Sequence, residues 1–254
     1  LERTPTANHH YQFGTIVNPK LYRRFFDLSY NNIVDLATHE FKGLLNALNL
    51  EGNGLKAVGP KCFLGLNGIQ VINLRNNKLD DLPSQLFQGL RSLLELRLDH
   101  NNISSLPIQL FKNLTNIKRI DLGSNKLSFV QNELFTNLKS CEILNLNDNQ
   151  ITLMDDDAFP TDSSSLQKIN LQNNKITRIP SSLLLQRHAT EINLSFNELN
   201  FQDLRNLFKQ IDLNTFLYHH RDTASSVRFR LKESFNQISF AYNKFSKKIG
   251  RAHV

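Results

Sequence analysis

The stretch Leu93–Leu114, LLELRLDHNNISSLPIQLFKNL, decides how this chain folds. Leu93, Leu96, Leu98, Asn101, Ile103, Leu106, Pro107, Phe111 and Leu114 fall on the pattern LxxLxLxxNxLxxLPxxxFxxL. Leu96 and Leu98 stand two apart, so on extended backbone they share one face while the residues between and beside them take the other. That spacing predicts a short strand. The bend after it leaves N–H and C=O groups without ladder partners, and a buried Asn101 side chain carries both a donor and an acceptor to satisfy them. The PxxxF segment then returns on the opposite side, with Phe111 filling the wide part of the turn.

Working outward, the asparagine recurs at Asn31, Asn53, Asn77, Asn101, Asn125, Asn149, Asn174 and Asn197, with an outlying copy at Asn243. A phenylalanine follows ten residues after each of the first six, at Phe41, Phe63, Phe87, Phe111, Phe135 and Phe159, and Leu184 takes the seventh place. Two ladders in phase, repeating about every 24 residues, are the signature of a solenoid whose turns stack only on their neighbours. One such turn cannot bury its own apolar face, so stacking must supply the stability.

The chain divides on this reading into a capping segment over residues 1–20, eight repeats over 21–199, and a C-terminal region over 200–254. In that last region Leu204, Leu207, Phe208 and Ile211 predict a helix over about 202–213, inserted before one further repeat. Residues 214–226 read as a loop. Val227, Phe229 and Leu231 alternate with polar residues as in a strand. Phe235, Ile238, Phe240, Asn243 and Phe245 then restore the repeat, and a basic tail follows.

Composition sets bounds on function. The chain has 254 residues and 40% hydrophobic content, ample for a large core, and it holds no apolar run long enough to span a membrane. It starts at Leu1 without an initiator Met or a signal-peptide pattern, which reads as a mature or excised chain. Its net charge of +7 is uneven: residues 1–199 hold 20 Lys and Arg against 19 Asp and Glu, and residues 200–254 hold 10 against 4. The two cysteines, Cys62 and Cys141, lie four repeats apart, roughly 19 Å at strand spacing, beyond the roughly 7 Å limit of a disulfide. Both are expected free, with Cys141 a small core residue in a leucine position.

The 24-residue repeat with LPxxxF, as at Leu82, Pro83 and Phe87 or Leu106, Pro107 and Phe111, resembles the "typical" leucine-rich repeat of Toll-like receptor ectodomains and related extracellular animal proteins. The resemblance covers about Phe26–Leu199 plus Phe235–Phe245. It implies an α/β solenoid, specifically a right-handed leucine-rich-repeat horseshoe with a concave parallel β-sheet and a mostly irregular convex side. It also implies a non-enzymatic recognition module without a cofactor, extracellular or secreted, binding a protein ligand in an immune or receptor-type role, with a homodimer as one possible assembly. One departure matters. Extracellular members usually carry cysteine-rich caps, and neither end here has a cysteine, so the chain is a fragment cut from a longer receptor, or its ends are capped by other means, or it is an intracellular, cytoplasmic scaffold or adaptor.

The candidate ligand-binding residues are the non-leucine positions of the strands. Across the third to sixth repeats they are Asn73, Arg75, Glu95, Arg97, Asp99, His100, Arg119, Asp121, Asn145 and Asn147. Flanking repeats add Asp27, Tyr30, Asn49, Glu51, Lys168, Asn170 and Gln172, with Phe25, Val71, Leu94, Ile143 and Phe196 as apolar contacts. Arg and aromatic side chains often dominate interface energy, which favours protein recognition. Strand charges of alternating sign could equally pair with their neighbours and keep the face soluble. A second candidate is the basic tail, with Arg228, Arg230, Lys232, Lys247 and Lys248, which would attract a microbial glycan, a lipid headgroup or another polyanion; nucleic acid is not favoured. Asn102, Asn113 and Asn193 begin glycosylation sequons, at a frequency that chance explains. If modified, Asn193 would put a glycan on the concave face.

No catalytic signature is present: GxSxG, HExxH, a phosphate-binding glycine loop and C-x-x-C are all missing. His100 beside Asp99 has no nucleophile in register, and adjacent strand residues should point to opposite sides. No metal site is expected either. His9 and His10 lack a third ligand, and the series Asn145, Asn147, Asn149 has Gln150 where a calcium loop needs glycine.

Overall fold

A computed structural model of the chain describes residues 24–36, 41, 45–160, 165–184, 186 and 188–199, and the backbone of 216–218, 228–231 and 237–239. The elements follow in order: β1 (Phe25–Asp27), β2 (Asp35–Leu36), β3 (Ala47–Asn49), β4 (Ala57–Val58), β5 (Val71–Asn73), β6 (Glu95–Arg97), β7 (Arg119–Asp121), β8 (Phe129–Val130), β9 (Ile143–Asn145), β10 (Leu153–Met154), β11 (Lys168–Asn170), α1 (Ser181–Leu184), β12 (Glu191–Asn193), β13 (Phe216–Tyr218), β14 (Arg228–Leu231) and β15 (Gln237–Ser239).

The strands of successive repeats lie side by side. β1, β3, β5, β6, β7, β9, β11, β12 and β15 form consecutive parallel pairs in one sheet. Register is set by the inward residue of each strand: Phe26 pairs with Leu48, Leu48 with Ile72, Ile72 with Leu96, and so on to Ile169 with Ile192. A slip of one residue would turn every one of these apolar side chains outward, so the pattern holds the stack in phase. The chain therefore winds as a parallel-sheet solenoid.

Between turns runs the asparagine ladder. Asn77 donates from Nδ2 to the carbonyls of Leu74 and Arg75 in its own turn and of Leu50 in the turn before, while its Oδ1 accepts the amide of Leu55. Asn101 and Asn125 make the same set one and two repeats later. Asn31, which is exposed, donates to the carbonyls of Leu28 and Ser29 in its own turn. On the returning side the phenylalanines stack, with ring centroids 6.0 Å apart for Phe41 and Phe63 and 5.8 Å for Phe111 and Phe135. Phe63, Phe87, Phe111, Phe135 and Phe159 are all fully buried. Among the described residues this side is otherwise short: the parallel pairs β2 with β4 and β8 with β10, and the four-residue α1.

Beyond β12 the sheet continues through β15, then β14 and β13, the last two joined antiparallel. Phe216–Tyr218, read from sequence as loop, is thus a strand, because its two β-favouring aromatics, Phe216 and Tyr218, find partners in Leu231 and Phe229 that local patterning does not reveal. The expected capping segment 1–20 and helix over 202–213 lie outside the described residues.

Candidate functional site

Because each strand buries its middle residue, its flanking residues point to the outer face of the sheet. One outward row runs Phe25, Ala47, Val71, Glu95, Arg119, Ile143, Lys168 and Glu191, and a second runs Asp27, Asn49, Asn73, Arg97, Asp121, Asn145, Asn170 and Asn193. Two residues further on come Glu51, Arg75, Asp99, Gly123 and Asn147. All ten residues proposed from sequence therefore sit on this face or its rim.

Their availability differs from the sequence expectation. Asn73, Glu95, Asp99 and Asp121 are buried, Glu95 to 1% exposure, because neighbouring rows of side chains cover them. Val71, expected as an apolar contact, is fully buried with Ala47 against Phe25, in a small cluster separate from the main core. Phe196, by contrast, stays 44% exposed.

The buried polar groups are cross-linked. Asn49 donates to Asp27 at 3.0 Å, Asn73 to Asn49 and to Glu51 at 2.9 Å each, and Asn145 to Asp121 at 2.9 Å. Arg97 Nε meets Glu95 at 2.8 Å, Arg75 Nε meets Asp99 at 3.1 Å, and Arg119 reaches Asp121 at 3.5 Å. Alternating charges thus do pair along the face. Three buried side-chain atoms among the described residues nevertheless have no partner: Glu95 Oε2, Arg119 Nε and Asn147 Oδ1. They fall in three successive repeats of this one face, while the asparagine ladder is satisfied throughout.

Asp99 and His100 correct another expectation, since their side chains meet, with Oδ2 and Nδ1 2.9 Å apart. The strand ends at Arg97, and His100 has φ of 58°, which turns it back toward its neighbour. The same left-handed backbone recurs just before the ladder asparagine at Tyr30, Asn76, Ser124, Asp148, Asn173 and Phe196, with Gly52 in the second repeat. Most are types that tolerate it; Tyr30 and Phe196 are bulky aromatics, for which it is strained. The Tyr30 ring lies where a Cβ on Gly52 would stand.

Burial, and then the nearby charge of Asp121, push the Asp99 carboxyl above its usual range, against the opposing pull of His100 and Arg75. On the returning side the Arg178 guanidinium, followed by the Ser181 amide, holds Asp156 below its usual range. Burial pushes the Cys141 thiol up to about 12. Cys62 and Cys141 are both buried, and neither is in a disulfide.

The remaining sequence candidates are scattered. Asn102 and Asn113 are half-buried, and Asn193 donates from Nδ2, the nitrogen a glycan would take, to Gln172 Oε1 at 2.9 Å. Arg228 and Arg230 lie on β14, and Lys232, Lys247 and Lys248 lie outside the described residues. No group of three or more His, Cys, Asp or Glu among the described residues could hold a metal ion, and none of their helices is long and apolar enough to cross a membrane.

Sequence reading passed over Gly123. A Cβ there would stand 2.5 Å from Asn147 Oδ1 and 3.2 Å from both Asn145 Nδ2 and Asp121 Oδ1, so glycine leaves the space that those side chains share. The signal was in the sequence, as a glycine where neighbouring repeats carry Asp99 and Asn147.

With this geometry in view, comparison with known proteins is informative. A family profile described as leucine rich repeat matches residues 45–103, 91–151 and 140–199, together more than half of the chain. Comparison with curated protein sequences gives no match. Among solved structures, a chain of the Drosophila Toll–Spatzle complex, described as a molecular hub in development and innate immunity, superposes with a TM-score of 0.59 at 21% identity, over 72% of this chain and 29% of that one. The leucine-rich repeat domain of APL1B superposes with a TM-score of 0.58 at 17% identity, over 87% of this chain and 59% of that one. The protein thus spans under a third of the first chain and under two thirds of the second, and at these identities the likeness is one of fold.

Proposed function

Because this chain belongs to the leucine-rich repeat family, we propose that it is a non-enzymatic protein-recognition module that grips its partner with the outer face of the sheet. The observation that carries this reading is the contrast between the two sides of the same strands. Inward positions are all apolar, from Phe26, Leu48 and Ile72 to Ile192, whereas one outward row changes chemistry at each step, from Val71 to Glu95, Arg119, Ile143 and Lys168. Folding constrains the first set tightly and leaves the second free to encode a partner.

Recognition requires solvent-reaching groups as well as buried ones. Arg75 and His100 expose 40% and 50% of their side chains in the middle of the face, and Lys168 and Glu191 expose more than half toward its end. We assign the protein an extracellular or secreted, receptor-type role, supported by its 24-residue phenylalanine-bearing repeat.

Substituting Arg75→Trp and Lys168→Trp places bulk on the outer face, with Lys112→Trp on the returning side as control. In a pull-down from extracellular fluid, the outer-face pair should lose the captured partner and the control should retain it. Equal capture by both would remove the outer face as the binding surface. Expression in animal cells tests the compartment: secretion with glycan at Asn102 or Asn113 supports it, and retention in the cytosol contradicts it.

A further inference from the structure

Resting on the recognition reading above, we propose that the outer face of the fourth to sixth repeats takes a basic protein segment, whose Lys or Arg side chains pair with the Glu95, Asp99 and Asp121 carboxylates.

Charge complementarity gives the sign. The chain as a whole carries +7, yet the outward positions run against that total. From β1 to β12, counting the residues just past each strand, Asp27, Glu51, Glu95, Asp99, Asp121 and Glu191 face outward against Arg75, Arg97, Arg119 and Lys168, two more carboxylates than cations. Asp148, on the rim, adds a further negative charge held by the amides of Asn147 and Asn173. A cationic segment is steered to such a face and an anionic one is repelled.

A second observation is independent of charge counting. Glu95 is 1% exposed, on the outward side of its strand, and only Oε1 has a partner, Arg97 Nε at 2.8 Å. Oε2 is left without one, as is Asn147 Oδ1. A buried carboxylate oxygen without a donor carries a desolvation penalty that folding does not recover. A partner's ammonium or guanidinium, drawn in as Arg97 and Arg119 swing aside, supplies the missing donors; guanidinium does so in a fork suited to two acceptors. The raised Asp99 carboxyl agrees, since its own cations do not offset burial and the charge of Asp121. Glycine at 123 lets Asn147 Oδ1 and Asp121 Oδ1 come within 2.5 and 3.2 Å of where a Cβ would stand, so two of the acceptors share that spot.

Binding of a lysine/serine peptide and a glutamate/serine peptide of equal length to the full chain tests the proposal, with the folded state of each variant checked by thermal melting. Asp99→Asn and Asp121→Asn should each weaken the lysine peptide about tenfold at low salt. Arg75→Gln, which removes an exposed cation, should tighten it. Lysine-peptide affinity unchanged in both carboxylate variants overturns the proposal, as does glutamate-peptide binding that these substitutions strengthen and Arg75→Gln weakens. If tryptophan on the outer face abolishes partner capture while carboxylate removal has no effect, the recognition reading stands and the basic-segment inference falls.

Discussion

Asn125 Oδ1 accepts the backbone amide of Ile103, in the preceding repeat, at 3.0 Å, while Asn125 Nδ2 donates to Leu98, Leu122 and Gly123. One side chain therefore ties two turns at four points in the interior. Asn125→Ala should destabilise the protein by about 3–5 kcal/mol, the range for leaving several buried backbone groups unpaired. Asn31→Ala, at an exposed copy of the position, should cost under about 1 kcal/mol. Denaturant titration of both variants checks the difference, and equal effects would deny the ladder its structural role.

Phe135 and Phe129 offer a second contrast within one repeat. Phe135 is fully buried between Phe111 and Phe159, with centroids 5.8 and 5.7 Å away, whereas Phe129 is 45% exposed on β8. Phe135→Ala should cost about 3–5 kcal/mol through lost contacts and a cavity. Phe129→Ala should cost well under about 1 kcal/mol. Chemical denaturation of the two variants measures both.

Two carboxylates should respond to pH with opposite signs. The Asp99 carboxyl is raised from the ordinary value of 3.8, so the stability it contributes is present below that value and is lost as pH rises through its folded value. Asp99→Asn should therefore gain in melting temperature relative to the native chain as pH climbs from about 4 to neutrality. Asp156 is lowered, chiefly by Arg178, so its contribution is present above 3.8 and is lost as pH falls through its folded value. Asp156→Asn should lose most at neutral pH and least in acid. Melting curves across that range check both signs.

Cys141, with its thiol pushed up to about 12, and Cys62, fully buried, should resist a thiol reagent in the native protein. Both should react on unfolding. Labelling of either thiol at native pH as fast as in denaturant would contradict their placement in the core.

The repeat was legible because Leu98, Asn101 and Phe111 do the same physical job in each turn, so their spacing records the winding directly. The outer face was legible as a list of positions but not as a surface. Glu95 and Asp121 look like solvated strand charges in sequence, and only their neighbours on adjacent strands make them buried. His100 and Asp99 illustrate the same limit, since a left-handed backbone just past the strand brings together side chains that strict alternation would separate. Phe216–Tyr218 was hidden for a related reason: its strand character comes from pairing with β14, not from its own pattern.

Site-specific photo-crosslinking locates the binding surface, with a photoreactive residue placed at Lys168 on the outer face or at Lys112 on the returning side of the intact protein. A bound protein partner should crosslink from position 168 and not from 112. Crosslinks confined to position 112, with none from 168, would contradict it.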